Sequence, residues 1–267
     1  MKKLAIGVMG RLAEHLSNAG VASFRYDKRG VGASGGDYFA AGFSDNIADD
    51  AATIDMLRAR PEVDPEQIYV IGHSEGALIA TELAASDPGL GGVVLLAGTA
   101  TVGEEVLRWQ AQQIAATLPK PVRFILRVLR KDVASMQAKR LSQIKATTGD
   151  TTRIQLAKLN AKWFREFLAH DPSPSLEAIR VPVLAVTGSN DLQVDSDDIE
   201  RICELVPLEC SGHVVDGVTH LLRNEFGPPS FKTYKKQAQR PLDPRVLDLV
   251  TSWIAATTNS QSESSDI

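Results

Sequence analysis

The chain has 267 residues, of which 43% are hydrophobic, 23% charged and 6% aromatic, with a formal net charge of -4. That length supports one large α/β core, or one core with an inserted subdomain. No apolar run reaches the ~18 residues of a membrane-spanning helix. The acidic balance and the lack of a basic arm count against a nucleic-acid partner. Met1–Arg11 has the lysines and short apolar stretch of a signal peptide but no small-residue cleavage site, so it reads as the opening of an amphipathic helix.

That helix is expected over Met1–Ala19, with Leu4, Val8, Leu12 and Leu16 on one face. Five short apolar or β-branched runs follow: Val21–Arg25, Ile68–Gly72, Gly92–Ala97, Val181–Thr187 and His213–Asp216. Short buried strands separated by longer helical patterns imply a mainly parallel sheet with helices on both faces. Phe43–Arg60, ended by Pro61, and Glu75–Ala85 have helical spacing, and Asp243-Pro244 caps a last helix through Trp253.

Thr101–Asp171 breaks this rhythm. It contains helical patterns and no strand-like run, as expected for a helical cap of residues 101–170 over the sheet's carboxyl edge. The core is then 1–100 and 171–256, and the polar tail from Thr257 is expected to be disordered. Thr101–His170 carries 13 Lys/Arg against 5 Asp/Glu, a net +8 that leaves -12 on the remainder. Such a balance can attract anions or merely reflect solvated helix faces. Trp109, Trp163 and Phe164 are candidates to line an acyl pocket, although helix packing explains them equally. Cys203 and Cys210 read as two thiols of a reducing cytoplasm, with a local clip as the alternative.

The most informative stretch is Ile68–Leu78, where Gly72-His73-Ser74-Glu75-Gly76 forms G-x-S-x-G between a buried strand and a helix. A serine on such a strained turn projects its hydroxyl, and side chains at Gly72 or Gly76 are expected to crowd it. The helix N-terminus and the Glu75 backbone N–H favour a developing oxyanion. A serine needs a base and an orienting acid. Asp191 follows the run Val181–Thr187, and His220 follows the last strand. Asp195 is the reserve acid. Of the other histidines, His15 lies in a helix, His73 is expected to face away from the serine, His170 ends the cap and His213 begins a strand.

With these residues in place, the chain resembles the α/β-hydrolase superfamily over Leu12–Ala255, on its serine-aminopeptidase-like, acylglycerol-lipase-like and dienelactone-hydrolase-like branch. Asp27-Lys28-Arg29-Gly30-Val31-Gly32-Ala33-Ser34 is similar to the family's D-x-R-G-x-G-x-S, and Asp27 and Arg29 are expected to pair. The resemblance implies an α/β-hydrolase fold and a serine hydrolase of small acyl substrates, with Ser74, Asp191 and His220 as its triad. The rivals are a non-hydrolytic binding scaffold and a cofactor-free lyase or perhydrolase. No metal-ligand spacing, dinucleotide motif or phosphate loop is present, so no cofactor is expected. The family's strand ending in a His-Gly-type loop does not occur in the sequence. The expectations are an upstream start to the reading frame and a slot between Val21–Arg25 and Ile68–Gly72.

Overall fold

A computed structural model describes residues 7–129 and 132–265. In chain order the elements are α1 (Val8–Asn18), α2 (Phe43–Arg58), β1 (Tyr69–His73), α3 (Glu75–Ser86), β2 (Gly92–Leu96), α4 (Gly103–Thr117), α5 (Lys120–Val128), α6 (Val133–Lys145), β3 (Thr151–Ile154), β4 (Ala157–Asn160), α7 (Ala161–Ala169), α8 (Ser173–Ala178), β5 (Val183–Gly188), α9 (Asp198–Leu205), β6 (Cys210–Val215), α10 (Tyr234–Gln237) and α11 (Pro244–Ser265). They fall into two compact units. One comprises the described parts of Met1–Arg25, Asp50–Ala100 and Pro172–Ile267; the other comprises Tyr26–Asp49 with the described parts of Thr101–Asp171.

The first unit holds a parallel sheet of order β1-β2-β5-β6, with Val93 opposite Val183 and Val186 opposite His213. β2 and β5 are buried along their whole length, as interior strands covered on both faces must be. Side chains alternate between faces. Val94, Leu96, Leu184, Val186 and Val215 meet Val8, Leu12 and Leu16 of α1 and Val246, Val250 and Ile254 of α11. α3 packs on β1 and β2, and α9 on β5 and β6. Each fully buried Leu or Val contributes about 1.5–3 kcal/mol, so these two layers fix where each strand ends.

Four expectations are corrected. Val21–Arg25 is not a strand: it is largely exposed, with no ladder partner among the described residues. Between it and β1 lies a cleft of about 640 Å³, lined by Met9, Leu12, Val21, Met56, Ile68 and Ile71. The expected slot is therefore present, and it deprives Val21–Arg25 of a hydrogen-bonding neighbour at strand spacing. The tail is helical to Ser265 rather than disordered, and the hydroxyls of Thr257 and Ser260 bond back to the carbonyls of Trp253 and Ala256. Cys203 and Cys210 form a disulfide rather than two thiols, joining α9 to β6 with Cα atoms 5.2 Å apart. Of the predicted first helix, α1 is observed, and Met1–Ile6 lie outside the described residues.

The fourth correction concerns the second unit, which is not wholly helical. β3 and β4 form an antiparallel hairpin turned by Gln155 and Leu156, both at positive φ. α4, α6 and α7 pack around Leu141, Ile144 and Leu168. Tyr26–Asp49 belongs to this unit and not with the sheet, because several bonds tie it there. Asn160 donates to the carbonyls of Tyr38 and Ala41, Lys162 pairs with Asp45 at 2.7 Å, and Ser44 donates to Glu166.

Candidate active site

In a parallel sheet all strands end on the same edge, and three loops leave that edge close together in space. Ser74 is the first residue after β1. Its φ of 57° and ψ of -118° place it in a region that side-chain-bearing residues rarely adopt, and such strain is held at functional turns. Its N–H is bonded to the Leu96 carbonyl at 2.9 Å, and α3 starts at Glu75. A Cβ on Gly72 would stand 1.9 Å from the Gly76 carbonyl, so glycine is required there. Gly76 differs from expectation, since a Cβ there meets nothing within 4 Å.

Asp191 lies three residues beyond β5, and His220 five residues beyond β6. Their side chains are almost fully buried, with His220 Nδ1 at 2.9 Å and 3.1 Å from the two carboxylate oxygens of Asp191. His220 Nε2 lies 3.0 Å from Ser74 Oγ. A carboxylate only accepts, so Nδ1 carries the proton and Nε2 is left to accept from the serine hydroxyl. Asp191 Oδ1 also accepts from the backbone N–H groups of Gln193 and Val194. The carboxylate is thereby fixed as an acceptor. Asp195, the reserve acid, instead accepts from the Asp197 N–H.

The loops that carry these groups are braced. Ser189 Oγ donates to Asp216 and accepts from the Gly217 N–H. Three residues after His220, the buried Arg223 donates to the carbonyls of Leu221, Ala238 and Arg240. Burial lowers its pKa to about 10, so it stays cationic at neutral pH. Thr219 donates to Gln237, which donates in turn to Thr233. Burial likewise holds the Tyr234 phenol well above the usual tyrosine range.

His73 is not turned away, as expected, but donates through Nε2 to the His220 carbonyl at 2.8 Å, with the two rings 5.0 Å apart. Burial, with a smaller effect from His220, lowers its pKa to about 4, so it is neutral at pH 7. No sequence signal identifies Arg223, Gln237 or the inward turn of His73.

The remaining candidates lie in the second unit. Trp163 and Phe164 meet edge to face at 5.0 Å, Trp163 stacks on Phe167, and Phe164 packs on the Leu141–Ile144–Leu168 cluster. Trp109 is half-buried on α4. Arg29 pairs with Asp49 at 2.5 Å and not with Asp27, whose carboxylate accepts the Ala33 N–H. Gly30 and Gly32 both have positive φ, as a tight turn there requires.

The sequence profile of the family described as "Serine aminopeptidase, S33" matches residues 5–226. The chain is 26% identical over 250 residues to Esterase EstD of Thermotoga maritima, covering 91% of this chain and 55% of that protein. It thus spans about half the length of this relative. Among solved structures, Est1E of Butyrivibrio proteoclasticus with bound ferulic acid has a TM-score of 0.62 at 18% identity, covering 96% of this chain and 83% of that one. A proline iminopeptidase of Mycobacterium smegmatis gives 0.62 at 16% identity, covering 97% and 87%. A monoacylglycerol lipase of Paleococcus ferrophilus gives 0.57 at 17%, covering 94% and 90%. These likenesses establish the α/β-hydrolase fold.

Proposed function

This chain belongs to the serine aminopeptidase, S33 family of α/β-hydrolases, and on that premise we propose that it hydrolyses an ester, thioester or small amide through an acyl-enzyme on Ser74. The single observation that carries this reading is the bonded series Ser74 Oγ–His220 Nε2 at 3.0 Å and His220 Nδ1–Asp191 at 2.9 Å.

In this reading Ser74 Oγ attacks the acyl carbon while His220 Nε2 takes its proton. Asp191 holds the imidazole tautomer and stabilises the imidazolium. The carbonyl oxygen becomes an oxyanion that accepts from the Glu75 N–H at the start of α3, where the helix dipole favours negative charge. Collapse expels the alcohol, thiol or amine with the proton from His220. Water, deprotonated by His220, then attacks the acyl-enzyme, releasing the acid and restoring Ser74. The relatives named as esterases make short acyl esters the first substrates to try.

Hydrolysis of p-nitrophenyl acetate and butyrate by wild type and His220→Ala tests the proposal. We expect measurable turnover that falls by at least about 10³-fold in the variant. Equal rates in both proteins would overturn it.

A further inference from the structure

α5 and the residues just beyond it read Lys120-Pro121-Val122-Arg123-Phe124-Ile125-Leu126-Arg127-Val128-Leu129-Arg130-Lys131. At 3.6 residues per turn, Lys120 and Arg123 fall along one stripe, while Phe124, Ile125 and Val128 form another. Among the described helices this one has the sharpest separation of polar and apolar faces. Its apolar face ought to be buried in a protein core. It is not: Phe124 is 68% exposed, Val128 64% and Ile125 55%.

α4, α6 and α7 pack on one another, but among the described residues no element packs broadly on α5. Single exposed apolar side chains are ordinary. A contiguous row beside a row of cations is not. The local charge is also one-sided, with no Asp or Glu between Glu105 and Asp132.

We propose that α5 is a docking surface for an anionic lipid bilayer, lying in the plane of the membrane interface. Phe124, Ile125 and Val128 enter the boundary between headgroups and acyl chains, and the cations meet lipid phosphates. A basic polar face opposite an apolar one is the physical signature of such helices. Nine residues reach about 14 Å, too short to cross a bilayer. Charge complementarity selects this occupant over a second copy, because pairing two α5 faces would bring their cations together. The net +8 of Thr101–His170 adds a longer-range attraction to the same surface. The proposal does not depend on the reaction at Ser74, so Ser74→Ala should bind equally well.

The test is flotation of the full chain with vesicles of phosphatidylcholine alone, or of equal parts phosphatidylcholine and phosphatidylglycerol. Wild type should float with the anionic vesicles, remain in solution with the neutral ones, and be released by high salt. Phe124→Ser/Ile125→Ser and Lys120→Glu/Arg123→Glu alter exposed side chains, and circular dichroism should show both variants folded. Each should weaken binding by about tenfold or more. Equal flotation with both vesicle types, or flotation unchanged in the variants, would overturn the proposal. So would absence of vesicle binding, including a result in which wild type self-associates through this face and Phe124→Ser/Ile125→Ser does not.

Discussion

The Nε2 of His73 stands 2.8 Å from the carbonyl oxygen of His220, so the residue just before the serine grips the backbone of the residue facing that serine. This contact gives His73 a measurable signature. Its folded pKa of about 4 lies below the ordinary value of 6.5, mainly because burial penalises the cation. The unfolded chain therefore binds more protons between these values. The resulting stability is fully present above about pH 6.5 and is lost as pH falls toward 4. Denaturant melts should show wild type losing on the order of 2–3 kcal/mol more than His73→Gln across this window. Parallel pH profiles would mean that the His73 proton is not coupled to folding.

The turn at Ser74 predicts an asymmetry between its two glycines. Gly72→Ala should destabilise the fold by about 2 kcal/mol or more, since its Cβ cannot coexist with the Gly76 carbonyl. Gly76→Ala has open space, and alanine favours a helix by up to about 1 kcal/mol over glycine. Paired thermal melts check this, and equal losses would contradict the geometry of the turn.

The Cys203–Cys210 bond closes a short loop between α9 and β6. Closing a loop of this size should stabilise the folded state by about 2–3 kcal/mol. Urea melts with and without reductant should differ by that amount, and Cys203→Ser should abolish the difference. A free-thiol assay reading two thiols in the untreated native protein would refute the pairing.

Much of this was legible in the residues themselves. Gly92–Leu96 and Val183–Val186 are uninterrupted apolar runs, as strands covered on both faces require. Ser74, Asp191 and His220 each follow a strand at the distance a short loop permits. Val21–Arg25, with Val21, Ala22 and Phe24, still suits a short strand, because composition does not reveal whether a ladder partner lies alongside. The hairpin at Thr151–Asn160 turns through Gln155 and Leu156, neither of which signals positive φ. The disulfide and the inward turn of His73 arise from tertiary proximity, which residue spacing does not encode.

The acid assignment separates two nearby carboxylates. Asp191→Asn should fold normally and reduce kcat by on the order of 10³–10⁴, because the amide permits the wrong imidazole tautomer. Asp195→Asn, whose carboxylate accepts from the Asp197 backbone instead of His220, should change kcat by less than about tenfold. Steady-state kinetics on one soluble ester checks both, and the reverse ranking would reassign the acid.

If Ser74 is the nucleophile, covalent labelling with a fluorophosphonate followed by peptide mass spectrometry will show it. A single adduct on Ser74 is expected, formed in wild type, slowed severely in His220→Ala and absent in Ser74→Ala. An adduct on any other residue, or labelling that persists in Ser74→Ala, would contradict it.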